Sequence, residues 1–231
     1  MDSVTSPAPT GRRLRDSFVD DVRKITLGLI RVHGTSVRLG PVELIRFGPD
    51  KVSPHSVEWP IDGGLLAGAS GGRLRIEAGR GRLVASLEGY RPLLPLLLYS
   101  VSQLPIHHLF MRIHLLRVRG REPSPGVPVS SHDRARAAMV DLALCTALTG
   151  LVSKRPRVRL LLGIAAAYHV TCWSISGRTL GSVVMKQRVV AVDGSRPTVG
   201  QSLVRLLALP IGWARGRPVH DEVACTDVVS D

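Results

Sequence analysis

Two runs decide the architecture: Ala137–Val152, AAMVDLALCTALTGLV, and Leu160–Ser176, LLLGIAAAYHVTCWSIS, separated by SKRPRVR. Asp141 is the single charge in the first run and the second has none. At a rise of about 1.5 Å per residue, each is near the lower length for a bilayer-spanning helix. Flanking arginines that snorkel and a locally thinned bilayer extend that reach. The expectation is an α-helical membrane hairpin with spans of about 137–152 and 160–176, against the soluble alternative of a buried helical hairpin. Seven basic residues flank the outer ends (Arg119, Arg121, Arg134, Arg136, Arg178, Lys186, Arg188) and four lie in the loop (Lys154, Arg155, Arg157, Arg159). The excess predicts both termini on the cytoplasmic side.

Polar residues inside the hairpin recur at helical spacing. Asp141, Cys145 and Thr149 share one face, and His169, Cys172 and Ser176 another. With the turn near Pro156, antiparallel geometry sets Asp141 close to His169. An ionisable group at membrane depth is costly unless it is paired or wetted, so the two are expected neighbours, as structural glue or as part of a proton or ion path.

Beyond the hairpin stand SGRTLGSVVMKQRVVAVDG (176–194), GQSLVRLLALP (200–210) and HDEVACTDVV (220–229). With RARAAMVD (134–141) ahead of them, these segments resemble in order the RDD family of bacterial membrane proteins, over about 134–229. The resemblance implies that Arg134 (or Arg136) opens the first membrane helix and Asp141 lies within it. It also marks Gly177, Gly181, Arg205, His220, Asp221 and Thr226 as family-motif positions, with His169 added from the pairing argument. It implies a polar segment on the cytoplasmic side and a transport role not established for the family. The chain departs from the pattern at Ser182, where a Lys is usual, and at Cys225, where a Gly is usual. Independently of the resemblance, RVVAV has the β-branched density of a strand, Asp193-Gly194 marks a turn, and Val199–Leu209 suits an interfacial helix carrying Arg205. His220-Asp221 has no accompanying nucleophile motif, so Asp221 is expected to cap a helix or pair with an arginine such as Arg134.

Upstream, the signal is α+β. Residues 1–15 are expected as a disordered tail, Asp16–Val32 as an amphipathic helix on Phe18, Val22, Ile25 and Leu29, and Ser36–Tyr90 as an antiparallel meander. In RLRIEA, Leu74 and Ile76 alternate with Arg73, Arg75 and Glu77. Leu93–Leu116 is apolar but interrupted by Pro95 and Pro105, which predicts a broken helix. Its His107, His108 and His114 lack carboxylate or Cys partners at ligand spacing, so no metal is assigned. GGLLAGASGG (63–72) lacks the GK[ST] of a phosphate loop. Glu122–Asp133 is a Pro/Ser linker, giving an α+β domain over 16–121 and a membrane domain over 134–231.

The net charge of +13 arises from 31 basic and 18 acidic residues in a chain of 231. Of the basic residues 27 are Arg and four Lys, spread along the chain, a bias of GC-rich bacterial genomes more than of a designed basic patch. Nucleic-acid binding wants a concentrated patch with stacking aromatics, which 4% aromatic content does not supply. Anionic lipid headgroups remain as the partner for the flanking charge. Cys145, Cys172 and Cys225 have no paired spacing and read as small hydrophobes. The first thirty residues show no signal-peptide pattern, consistent with a cytoplasmic N-terminus.

The expectation is therefore an integral membrane protein without catalytic residues or cofactor, contributing as a homo-oligomer to transport of a small solute or ion, since two helices cannot enclose a pore. The alternative is a membrane-anchored, non-catalytic ligand-sensing or scaffold protein. A closed apolar cavity of about 300 Å3 or more in the N-terminal domain favours sensing.

Overall fold

The structure, a computed structural model, describes residues 1–5, 9–153 and 158–231 and divides into two compact units, 1–120 and 121–231. The turn expected near Pro156, with Lys154, Arg155 and Arg157, lies outside the described residues.

The first unit is one curved antiparallel sheet with helices against it. Its elements are β1 (Asp2–Thr5), α1 (Gly11–Ile25), β2 (Ile30–His33), β3 (Ser36–Leu39), β4 (Val42–Phe47), β5 (Lys51–Ser53), β6 (Ser56–Gly63), β7 (Gly72–Gly79), β8 (Arg82–Glu88), α2 (Leu96–Val101) and α3 (Gln103–Arg119). Strand order is β1-β8-β7-β6-β4-β3-β2, with β5 added on β6. The β7–β8 hairpin turns at Arg80-Gly81, both with positive φ, and pairs Ile76 with Ala85 and Leu74 with Leu87. As its alternation predicts, Leu74 and Ile76 face inward while Arg73 and Arg75 face out.

Two expectations need correction here, and a third gains its break point. The supposed disordered tail supplies β1, which pairs with β8 (Asp2 opposite Ala85) and buries Val4, and then the start of α1. Pairing with an otherwise unpaired sheet edge orders a segment whose composition alone reads as loose. The N-terminal helix runs Gly11–Ile25 rather than 16–32: Thr10 Oγ1 accepts from the Arg13 N–H at its start. At its end, Gly28 at φ +82° donates to the Arg23 carbonyl and closes the helix, so Leu29 falls beyond it and is exposed. The broken helix over 93–116 breaks at Ser102, between α2 and α3. Pro95 precedes α2, and Pro105 sits in the first turn of α3, where no intrahelical N–H is lost.

The second unit comprises α4 (Ser131–Val152), α5 (Val158–Ile175), α6 (Leu180–Val184), β9 (Gln187–Ala191), α7 (Val199–Arg215), α8 (Val219–Ala224) and β10 (Thr226–Ser230). The first helix starts earlier than expected because Ser130 caps it, its side chain accepting from the Asp133 N–H at 3.1 Å, so the end of the linker belongs to the helix. β9 and β10 pair antiparallel, Thr226 opposite Ala191. Their Val189 and Val228 form a small core with Trp173 of α5, to which Leu206 and Leu209 of α7 pack. α7 continues past Leu209 to Arg215 and opens with a capping box between Thr198 and Gln201.

The helices α4 and α5 are long and apolar enough to cross a membrane, with mean hydropathies of 1.5 and 1.4 over their most apolar stretches. Only 22% and 6% of those stretches is buried within the chain. A soluble core helix hides most of such a surface from water; these two do not.

Candidate functional site

Asp141 stands near the middle of α4 on the face that carries Ala137, Cys145 and Thr149, and all four are buried. Its carboxylate is closely bonded. Thr179 Oγ1 donates to Oδ2 at 2.7 Å, the Gly181 N–H to Oδ1 at 2.8 Å, and the Tyr168 hydroxyl to Oδ1 at 2.9 Å. His169 Nε2 lies 3.8 Å from Oδ2, so the expected neighbours are adjacent, though beyond hydrogen-bond length. The His169 Nδ1 bonds the Ala165 carbonyl at 2.8 Å.

The donors from residues 179 and 181 reach Asp141 because α6 packs directly on α4. A Cβ placed on Gly181 would stand 2.0 Å from the Ala137 carbonyl oxygen, so only glycine allows this approach. Gly177, at φ +75°, makes the chain reversal that precedes it. Ser182, the departure from the family pattern, completes a capping box with Thr179. The face expected from His169, Cys172 and Ser176 is only partly inward: Ser176 is exposed at the helix end, and Trp173 is the buried residue of α5.

A second cluster gathers around Asp221 of α8, 2% exposed. Arg134 Nη1 donates to Oδ2 at 2.7 Å, Arg205 Nη1 donates to Oδ1, and the Thr226 hydroxyl donates to Oδ1 at 3.0 Å while accepting from Arg205 at 2.9 Å. Arg205 also lies over the Trp173 ring, 4.9 Å from its centroid. Burial pulls the Arg205 guanidinium down to about 9, with the nearby Arg134 charge adding to the effect, and it still carries its proton at neutral pH. Five sequence candidates thus meet in one place: Arg134, Arg205, Asp221, Thr226 and His220, whose Nε2 is 3.7 Å from Asp221. Two arginines against one carboxylate, with bonds to both oxygens, form a charge-assisted lock between α4, α7, α8 and β10. Cys225 takes the left-handed conformation (φ +51°) that ends α8.

Burial lowers His220 to about 4, helped by Arg205 and Arg134, so the ring is neutral at physiological pH. A histidine held neutral in the folded state binds fewer protons than its unfolded counterpart, which titrates near its usual value of about 6.5. Stability of this unit is expected to fall as pH drops from about 6.5 toward 4. In His220→Gln, denaturant titrations at pH 7 and pH 5 should differ less than in the parent protein; an unchanged difference would show that another group drives the loss.

In the first unit, α3 and one face of the sheet line a partly open cavity of about 490 Å3. Phe18, Phe47, Leu74, Phe110 and Met111 are among its apolar walls, and Tyr90, Tyr99, Gln103 and His107 supply polar groups. Gln103 Oε1 and His107 Nδ1 are both shut off from solvent without a hydrogen-bond partner among the described residues. Each such group costs about 1–3 kcal/mol when left unmet. Sequence reasoning considered His107 only as a metal ligand with His108 and His114. The structure separates the three: His108 bonds Asp2 at 2.9 Å, and His114 bonds Asp21 at 2.9 Å in the core, where Arg117 joins the same carboxylate at 2.7 Å. Gln103 and His107 are four residues apart, so they share a helical face. That spacing was visible in the sequence, but the sheet residues that line the cavity with them were not.

No curated protein and no solved structure matches this chain. A family model does match: residues 158–219 fit the RDD family, within the C-terminal part that resembles it by sequence. That range holds His169, Gly177, Gly181 and Arg205, while Arg134, Asp141, His220, Asp221 and Thr226 lie outside it and are tied to it by the bonds described above. The C-terminal unit therefore carries an RDD-family segment, and with its two exposed apolar helices it marks the chain as a membrane protein.

Proposed function

We propose that this chain is a membrane-anchored, non-catalytic sensor: α4 and α5 cross the cell membrane of a bacterium with both termini in the cytoplasm, and the N-terminal α+β unit binds a small apolar molecule. The observation that carries this reading is the partly open, largely apolar cavity, whose volume lies inside the range of about 300–1,000 Å3 typical of small-molecule sites. The polar residues of the membrane unit support it from the other side. Both buried carboxylates, Asp141 and Asp221, spend their oxygens on internal donors, an arrangement suited to holding the module together and poorly suited to passing an ion through one copy. Arginines at the cytoplasmic ends of the helices meet anionic headgroups. The amphipathic α7, with Leu203, Leu207, Ile211 and Trp213 exposed, suits the membrane interface.

Membrane fractionation with protease mapping of both termini tests the anchoring. The protein should stay in the pellet through a carbonate wash, and tags at either end should be cut only in inside-out vesicles. Release into the aqueous phase would overturn the membrane reading, and a cut tag on intact cells the topology.

The second reading is transport of a small solute or ion by a homo-oligomer. It is favoured by the apolar faces of α4 and α5 that nothing in the chain covers, which suit packing against further copies as well as lipid. Its test is flux through liposomes reconstituted with the purified protein, together with its mass in detergent: a monomer without flux sinks it.

A further inference from the structure

Between Arg91 and Arg112 the chain has no Asp, Glu, Lys or Arg, and the structure leaves much of that run on the surface of the first unit. Leu93, Leu96, Leu97, Leu98, Val101 and Ile106 are 55–81% exposed, and no residue of α2 is buried. The segment before α2 is fixed in place. The Leu93 N–H donates to the Leu66 carbonyl at 3.2 Å and the Gly68 N–H to the Arg91 carbonyl at 2.8 Å. These bonds set Leu65, also more than half exposed, at the border of the same patch. Single apolar side chains on a surface need no explanation, but a contiguous group of this size marks a binding surface.

Three features identify what covers it. At about 100° per residue, Leu96, Leu97, Val101 and Leu98 spread over an arc of about 200° around α2. A rigid partner laid against one face leaves part of such an arc bare, whereas fluid hydrocarbon closes around it. The hydroxyls of the same stretch are already satisfied: Ser100 donates to the Leu97 carbonyl at 2.8 Å and Ser102 to the Leu98 carbonyl, so neither enters an apolar medium unbonded. None of the six exposed side chains is aromatic, while protein interfaces concentrate their binding energy in Trp, Tyr and Arg.

A bilayer is also within reach. Eleven residues separate α3 from α4, and even fully extended they span only about 40 Å, so anchoring through α4 keeps this unit near lipid. Residues 1–120 carry 17 Lys and Arg against 10 Asp and Glu, which draws the unit toward anionic headgroups, and Arg91 stands exposed at the edge of the patch.

We propose that the first unit docks on the bilayer through this patch, inserting α2 with Leu93 and Ile106 into the boundary between headgroups and acyl chains and setting Arg91 against the headgroups. Ile106 also lines the cavity, so the docked surface adjoins the ligand site. The proposal rests on the membrane-anchoring reading above and adds to it a second, reversible lipid contact made by the other unit.

The full chain is placed in nanodiscs of phosphatidylcholine and phosphatidylglycerol, with a fluorescent residue encoded in place of Val101 or, as a control, in place of Arg80. Arg80 lies in the exposed turn at the far end of β7, whose first residue, Gly72, sits against Tyr90 next to the patch. Phosphatidylcholine bearing a nitroxide on its acyl chain should quench the probe at 101 and spare the one at 80. Each leucine withdrawn from hydrocarbon lowers the docked-to-free ratio at least about tenfold, so Leu96→Ser with Leu97→Ser should lower it about a hundredfold and release the quenching. Both side chains are mostly exposed, so the fold does not depend on them, and Leu96→Ile with Leu97→Ile should keep the quenching. Equal quenching at 101 and 80, or quenching at 101 unmoved by the serine pair, overturns the docking assignment. A probe at 101 that the lipid nitroxide does not quench overturns it too: iodide in the buffer then reaches a bare patch and is kept from one covered by protein. In either of those cases a chain that still co-elutes with the discs keeps the anchoring reading, and a chain that leaves them overturns that reading as well.

Discussion

Asp221→Ala is expected to cost the C-terminal unit about 3–5 kcal/mol, because it removes the one carboxylate that two buried or half-buried arginines share. Arg205 is 5% exposed, and when Asp221 is gone the Thr226 hydroxyl, the Trp173 face and the more distant charge of Asp227 are what the described residues leave it. The loss is larger than the pair's net worth, since an uncompensated buried charge is what makes it expensive. Two comparisons sharpen the expectation. Arg134→Met should be milder, because Asp221 keeps Arg205 and Thr226. Asp227→Ala removes a pair with the 43%-exposed Arg121, and a rim pair of this kind is worth at most about 1 kcal/mol. Thermal unfolding in detergent, followed by fluorescence of variants keeping only Trp173 or only Trp59, checks this unit by unit: the Trp173 transition should fall steeply and the Trp59 transition should not. Equal small shifts for Asp221→Ala and Asp227→Ala would mean that the buried cluster is not a lock.

Gly181→Ala is the second large effect. The added Cβ would lie 2.0 Å from the Ala137 carbonyl oxygen and 3.0 Å from the Asp141 carboxyl carbon, and the nearer atom is helix backbone that cannot rotate away. α6 has to lift from α4, and the Gly181 N–H and Thr179 hydroxyl leave Asp141 with only Tyr168 among its three donors. Overpacking of about 1–3 kcal/mol and orphaned polar groups of about 1–3 kcal/mol together predict a loss of about 2–5 kcal/mol. Gly163→Ala in α5 and Gly150→Ala in α4 are the controls: an added Cβ meets nothing within 4 Å at either, so each should change stability by no more than about 1 kcal/mol. The same unfolding assay decides; if Gly181→Ala behaves as the controls do, the close packing of α6 on α4 is wrong.

The two buried clusters differ in how far their members could be read from the residue order. Asp141 and His169 were placed together by helical period and antiparallel pairing alone, because both lie on regular elements joined by a short turn. The donors that hold Asp141, Thr179 and Gly181, follow a chain reversal at Gly177, and a fold-back of that kind has no period to extrapolate. Tyr168 neighbours His169 in the middle of the apolar run, and nothing in the spacing marks its hydroxyl as a donor to Asp141. At Asp221 an arginine partner was expected, and Arg134 is one. For Arg205 the sequence names an interfacial helix and a family-motif position but no partner; α7 turns it onto Trp173 and α8.

What the residue order determined by itself was local and periodic: the alternating β7 and β8 strands, the apolar hairpin, and the order of motifs that carries the RDD resemblance. Backbone periodicity and turn chemistry are properties of neighbouring residues, so they survive without tertiary information. Only the tertiary structure decided that residues 2–5 complete the first sheet, that one carboxylate serves Arg134 and Arg205 together, and that Gln103 and His107 line one cavity with Phe18 and Leu74. Each of these depends on groups distant in the chain meeting at one point. Burial then changes their chemistry, turning Asp221 into a lock.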